Sequence, residues 1–150
     1  MPKNLRLRPV TLDDVDVLLA WRNDSTTRHA SHSMDEVARD GHVRWLDSSI
    51  ENPNRTLMIA EVGDVPVGAV RADRHESGVH ELSWTVAPEA RGSGLGKAMV
   101  AHFSSQFSGP IRAEVKAGNV ASSRIAEGAG MAFVREDDGI LHYERKTLNQ

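Results

Sequence analysis

At 150 residues, 39% hydrophobic and 26% charged, the chain has the composition of an ordinary globular domain and no length for a second one. A formal net charge of −3, from 18 Lys and Arg against 21 Asp and Glu, argues against a nucleic-acid partner, which selects a basic surface. The absence of cysteine excludes disulfides, thiolate metal sites and any acyl-cysteine intermediate.

Leu5, Leu7 and Pro9 alternate with Arg6 and Arg8, which predicts a short first strand. Thr11 reads as the N-cap of a helix, with Asp13 and Asp14 in its first turn and Leu12, Val15, Leu18 and Leu19 as its apolar stripe to about Asn23. Ser33 to Glu36 has capping-box spacing and predicts a second helix through Val43 and Trp45 to about Ile50. Beyond Asn52-Pro53 the period shortens. Arg55–Val62 and Val65–Arg71 read as strands joined by Gly63-Asp64, and Val79–Val86 as a third, ended by Pro88.

A glycine-rich turn then leads into a helix from about Leu95 to Phe107, broken by Gly109-Pro110. Ile111–Val115 is a short strand and Val120–Ala129 a helix stopped by Gly130. Met131–Arg135 and Ile140–Arg145 form a closing hairpin through Asp138-Gly139. The order βααβββαβαββ predicts one α/β domain over 1–150, with a mixed, mostly antiparallel sheet flanked by helices. The first ten residues lack the apolar core of a signal peptide, and no apolar run nears the roughly 18 residues that span a bilayer. The expectation is a cytoplasmic protein without a membrane partner, as a monomer or homodimer.

The stretch most informative about chemistry is Arg91-Gly92-Ser93-Gly94-Leu95-Gly96-Lys97, where a strand turns into a helix. Glycines let a ligand approach the backbone, and a helix start aims unpaired N–H groups, with a partial positive charge, at one point. Phosphate suits such a site. A P-loop would need glycine where Arg91 stands, and the dinucleotide fingerprint would need glycine where Lys97 stands.

Arg91-x-x-Gly94-x-Gly96, with Val86 and Pro88 shortly before it, resembles the signature of the GCN5-related N-acetyltransferase (GNAT) superfamily. Asn119-Val-Ala-Ser122-Ser123-Arg124-Ile125-Ala126-Glu127, followed by Gly130-Met131, resembles the segment that follows it in the same family, with Met131 in place of the usual Phe. The resemblance implies acetyl-CoA as co-substrate, its pyrophosphate held by backbone amides from Gly92 to Lys97 and its pantetheine paired with Trp84 to Val86. It also implies that Asn119 bonds the pantetheine and that Ser122 lies near the cofactor. Helix capping by Asn119 or Ser122 is the plain alternative.

Direct transfer to an amine needs a proton sink, because an alkyl ammonium is not nucleophilic, and support for the leaving thiolate. Glu81 is the expected base, with His80 and His75 as alternatives; a solvent-facing strand glutamate is the competing reading. Where relatives carry a tyrosine acid, this chain has Ala126, which leaves Ser122, Ser123 or water as donor to the sulfur; the only tyrosine, Tyr143, lies on the last predicted strand. No metal-binding spacing occurs, and no metal is expected.

Trp21-Arg22-Asn23, Arg28, and His42-Val-Arg-Trp45 are similar to a pattern in family members that acetylate amino-sugar nucleotides or protein N-termini. Arg22, Arg28 and His42 are therefore candidate acceptor contacts, the arginines toward a diphosphate. Packing of Trp21 and Trp45 between helices, with solvated arginines, is the alternative. Three functions stay open: acetylation of a small-molecule amine such as an amino-sugar nucleotide, acetylation of a protein N-terminus, and a CoA-binding domain without chemistry.

Overall fold

The computed structural model describes residues 4–32 and 35–148. Strands are β1 (Leu5–Pro9), β2 (Arg55–Val62), β3 (Val65–Arg74), β4 (His80–Val86), β5 (Ile111–Lys116), β6 (Ala132–Asp137) and β7 (Ile140–Arg145). Helices are α1 (Val15–Asn23), α2 (Ser25–Ala30), α3 (Arg39–Glu51), α4 (Leu95–Ser104) and α5 (Val120–Gly128). The sheet runs β1-β2-β3-β4-β5-β7-β6, and every neighbouring pair is antiparallel except β4–β5. The expected mixed, mostly antiparallel sheet is what forms.

Strand parity divides the molecule into two layers. A Cβ on Gly68 would come 2.6 Å from Met99 Sδ, so Gly68 lets α4 lie directly against β3. Arg71, of opposite parity, meets Trp45 of α3 on the other face. Met99, Val100 and Phe103 are fully buried in the first layer, and Leu46 and Ile59 are fully buried as well.

Differences from the expected elements have local causes. The first turn after Thr11 is a short 3₁₀ segment, Leu12–Asp14, with a complete capping box between Thr11 and Asp14. Helix α3 begins at Arg39, not near Ser33, which lies outside the described residues. The preceding segment is held extended by Asn23, whose side chain donates to the Val37 carbonyl at 2.9 Å and accepts the Val37 N–H at 2.7 Å. That pairing occupies the backbone groups an earlier helix start would need. Glu36 reaches Arg28 instead of capping.

Helix α2 was not expected. Its start is marked by Asp24, whose carboxylate accepts the Thr27 N–H at 3.2 Å, but its six residues carry no apolar stripe. Helix α4 stops at Ser104, three residues short of Phe107, with Ser105 as its C-cap. Phe107 still packs edge-on against Phe103 at 5.2 Å.

Candidate active site

Parallel pairing between β4 and β5 lasts only two residue pairs, His80 with Ile111 and Glu81 with Arg112. Beyond Glu81 the strands separate, and the sheet opens in a wedge. A cavity of about 640 Å³ occupies it, walled by Ser83–Val86 of β4, Glu114–Lys116 of β5 and the start of α5, and by α1, α2 and α3. Both faces of β4 contribute, Trp84 and Val86 from one and Ser83 and Thr85 from the other. A molecule in this wedge would meet strand backbone deprived of a ladder partner.

At one end of the wedge lies the glycine turn. Gly92 and Gly94 have φ of +75° and +82°, and a Cβ at either would meet nothing within 4 Å. Glycine is required there by conformation, and the space beside it is open. Gly94 caps α4 with no side-chain oxygen on the first N–H groups, apart from a long contact from Leu95 N to Ser93 Oγ at 3.4 Å. The first turn of a ten-residue helix therefore keeps donors available for an anion.

Gly96 serves otherwise. A Cβ there would lie 2.8 Å from Val86 Cγ2 and 2.9 Å from Ile125 Cδ1, so its absence lets α4 pack at the junction of β4 and α5. The Lys97 side chain runs across Gly128 of α5. Ser93 Oγ donates to the Ala90 carbonyl and tightens the turn. These residues fit a diphosphate held by backbone donors.

Arg91, at the head of that turn, does not point at an open anion site. Its Nη2 lies 2.7 Å from Asp24 Oδ2 and 3.0 Å from Thr27 Oγ1, so it ties the turn to α2. The guanidinium and two backbone N–H donors hold the Asp24 carboxyl below its usual range. Lys116, at the end of β5, donates to the His29 carbonyl at 3.1 Å. Helix α2 buries no residue, and these polar ties hold it across the cavity.

Asn119 and Ser122 share a turn at the start of α5. Asn119 is the N-cap, its Oδ1 accepting the Ser122 N–H at 3.1 Å, so the capping role falls to Asn119 and not to Ser122. Ser122 Oγ instead accepts the indole N–H of Trp84 at 3.3 Å. Both side chains line the cavity.

On the helical side, Arg22 and His42 line the cavity with Arg71, which sequence reading had placed at a strand end. Strand β3 runs on to Arg74, which leaves Arg71 facing inward beside Trp45, its Cζ 5.9 Å from the ring centroid. Burial pulls the Arg71 pKa down, with Asp73 Oδ2 at 3.1 Å in partial compensation. His42, 5% exposed, stacks on Trp45 at 5.6 Å, and its Nε2 has no hydrogen-bond partner among the described residues. Burial first, and Arg22 second, lower its pKa, so the imidazole is neutral at pH 7.

Arg28 and Glu81, like the alternative candidates His75, His80 and Ser123, are not brought to the cavity. Arg28 is directed to Glu36 at 4.0 Å and is not among the lining residues. Glu81 lies at the closed end of the wedge, with its Oε1 3.1 Å from Arg112 and 3.4 Å from His75, and does not line the cavity either. Tyr143 is 5% exposed and packed edge-on against Phe133 on the far side of β5, which removes it as an acid. Ala126 is fully buried. Among the described residues, no group of three or more His, Asp or Glu could hold a metal, and no helix is long and apolar enough to cross a membrane.

A sheet split after two parallel pairs, with a glycine-started helix at the split, defines a mixed α/β domain with an open cleft between β4 and β5. The GNAT acetyltransferase domain model matches residues 4–132, and the chain belongs to that family as an acetyl-CoA-dependent N-acetyltransferase. Spermidine N-acetyltransferase from Vibrio cholerae, solved with CoA and spermine, superposes with a TM-score of 0.86 at 14% identity over 96% of each chain. Ribosomal-protein-alanine N-acetyltransferase from Brucella melitensis gives 0.78 at 23% identity, over 94% of this chain and 99% of that one. An aminoglycoside acetyltransferase in complex with coenzyme A gives 0.79 at 19%, over 95% and 94%. At these identities the likeness speaks for the fold. No curated protein sequence matches the chain.

Proposed function

We propose that the enzyme transfers acetyl directly from acetyl-CoA to the primary amine of a small acceptor that carries an anionic group, best represented by an amino-sugar nucleotide. The carrying observation is the charge of the cavity lining. Among the described residues that line it, Arg22, Arg71, Arg91 and Lys116 stand against one carboxylate, Glu114, while Asp24 and Asp73, which pair with Arg91 and Arg71, are not part of the lining. Spermine and aminoglycosides are polycations, and such a lining disfavours them. A diphosphate suits guanidinium forks, and Trp45, stacked with His42, offers an aromatic surface beside them.

The glycine turn fits the CoA diphosphate through backbone donors of Gly92 to Lys97, and the unpaired edge of β4 at Trp84–Val86 fits the amide-bearing pantetheine. When bound, acetyl-CoA supplies an activated acyl group. The protein's part is to orient the amine and remove its proton. Nearby guanidiniums lower the pKa of an acceptor ammonium, which raises the fraction of free amine without a dedicated carboxylate base. His42, neutral and lining the same cavity, is placed to take up the proton or pass it to water. Glu81, held by Arg112, anchors the point from which the strands diverge.

The test is an acceptor panel with thiol release as readout: an amino-sugar nucleotide, the matching free amino sugar, an N-terminal peptide and spermine. The nucleotide is expected to turn over best. Arg22→Ala and Arg71→Met should each raise its KM by roughly 10- to 100-fold with kcat little changed, as for charge-assisted contacts of about 1.5–3 kcal/mol, and should barely affect the free sugar. Equal losses on both sugars would refute anion recognition, and preference for the peptide would move the acceptor to a protein N-terminus.

A further inference from the structure

Three residues beyond the last β4–β5 pair, the Trp84 side chain reaches across the wedge to α5. Its indole N–H is a donor only, so at the 3.3 Å contact Ser122 Oγ must be the acceptor. Ser122's own backbone N–H is fixed on Asn119 Oδ1 at 3.1 Å, which sets the turn that carries the hydroxyl. Among the described residues no acceptor takes the Ser122 O–H proton, although the side chain lines the cavity. The hydroxyl thus has one lone pair engaged and its proton free to turn into the wedge. No phenol is available for that task, because the chain's one tyrosine, Tyr143, is buried on the far side of β5.

We propose that Trp84 is a positioning residue: its indole N–H holds Ser122 so that the hydroxyl donates a hydrogen bond to the sulfur leaving the acetyl group. The proposal rests on the acetyl-transfer reading of the site. In the step it serves, the amine lone pair forms the new C–N bond, the C–S bond breaks, and its electron pair goes to sulfur. The amine proton leaves to solvent, directly or by way of His42. Ser122 keeps its proton, since a thiol is far more acidic than a serine hydroxyl, and the thiolate is later protonated by water. Trp84 acts only through Ser122, which separates it from a residue that merely fills the wedge.

The first measurement is the thiol pKa of CoA bound to the protein, followed by thiolate absorbance, with no acceptor and no turnover. A donated hydrogen bond favours the thiolate, so bound CoA should titrate about one unit lower in the native protein than in Ser122→Ala. Trp84→Phe, which keeps the ring and loses the N–H, should give part of that rise, and Ser122→Thr should restore the native value. The second is acetyl transfer in a double-mutant cycle: about a tenfold loss for Ser122→Ala, a smaller loss for Trp84→Phe, and no further loss when both are combined. Should Trp84→Phe unfold, the assigned Trp84 indole N–H resonance in Ser122→Ala replaces it, and must shift. An unchanged thiol pKa in Ser122→Ala overturns the role of the hydroxyl even where activity falls. Additive losses, or an unmoved indole resonance, overturn the role of Trp84. Binding of CoA with no turnover of any amine would instead refute the acetyl-transfer reading, and the thiol titration separates the two failures.

Discussion

Gly94 separates conformational need from anion binding more cleanly than any other position in the glycine turn. It sits at φ +82° with nothing within 4 Å of a would-be Cβ, so substitution costs backbone strain without a clash. Asn and Asp tolerate the left-handed region best, and each should lose about 1 kcal/mol of stability there. They are nearly isosteric and differ by one charge. In the free protein the Asp carboxylate lies at the N-terminus of α4 and regains about 0.3–1 kcal/mol from the helix dipole, so Gly94→Asp should melt at or above Gly94→Asn. With CoA the order must reverse. Two unit charges about 4 Å apart repel by about 4 kcal/mol at an effective dielectric near 20. Even after salt screening, calorimetry should give a CoA Kd at least tenfold weaker for Gly94→Asp than for Gly94→Asn, about 1.4 kcal/mol. Thermal unfolding with and without CoA reads the same inversion, because only binding to the folded state raises the midpoint. Equal CoA affinity in the two variants would refute the placement of the diphosphate at this helix start.

Gly96 carries the opposite expectation: Gly96→Ala meets Val86 and Ile125 at under 3 Å and should lower stability by roughly 1–3 kcal/mol in thermal or urea unfolding. Asp14 is buried against Arg8 at 2.7 Å, and this bond, with the Thr11 N–H, depresses its pKa against the pull of burial. A depressed carboxylate pKa contributes stability above the unfolded value near 4 and loses it as pH falls through the folded value, so Asp14→Asn should flatten the acid limb of the stability–pH curve. An acid limb as steep as the native one would place that stability elsewhere.

The fold was legible because its elements are locally consistent. Period-two patterns at 55–62 and 65–71, turn glycines at 63 and 139, and stripes on α1, α4 and α5 point to the same sheet the chain forms. The residues proposed to hold the cofactor stand out for a similar reason, since the glycine turn and the capped start of α5 are each a short continuous segment. Those proposed to meet the acceptor do not. Helix α2 offers no hydrophobic period, and α3 is delayed by two hydrogen bonds from Asn23 to a residue 14 positions away. The expected strand ends at Arg71, whereas β3 runs on to Arg74. Only the pairing of Arg71 with Ser83, inside a strand that continues to Arg74, turns it into the cavity. Glu81 attracted the role of base by its strand position. Strand position does not reveal that β5 brings Arg112 beside it.

The least legible feature is how the two halves join. By sequence, Arg91 is the first residue of a phosphate signature, and a guanidinium next to a diphosphate site needs no other explanation. In the structure that side chain spends its strongest bonds on Asp24 and Thr27, 64 and more positions away, at the start of the helix over the acceptor cavity. The backbone of the glycine turn remains free to hold an anion, because its donors are main-chain N–H groups and not the arginine. On the proposed reading, holding an anion on the turn backbone and tying α2 down through Arg91 are therefore separate duties of the same seven residues. Their common anchor is the wedge, which exists because β4 and β5 pair for two residues and then part.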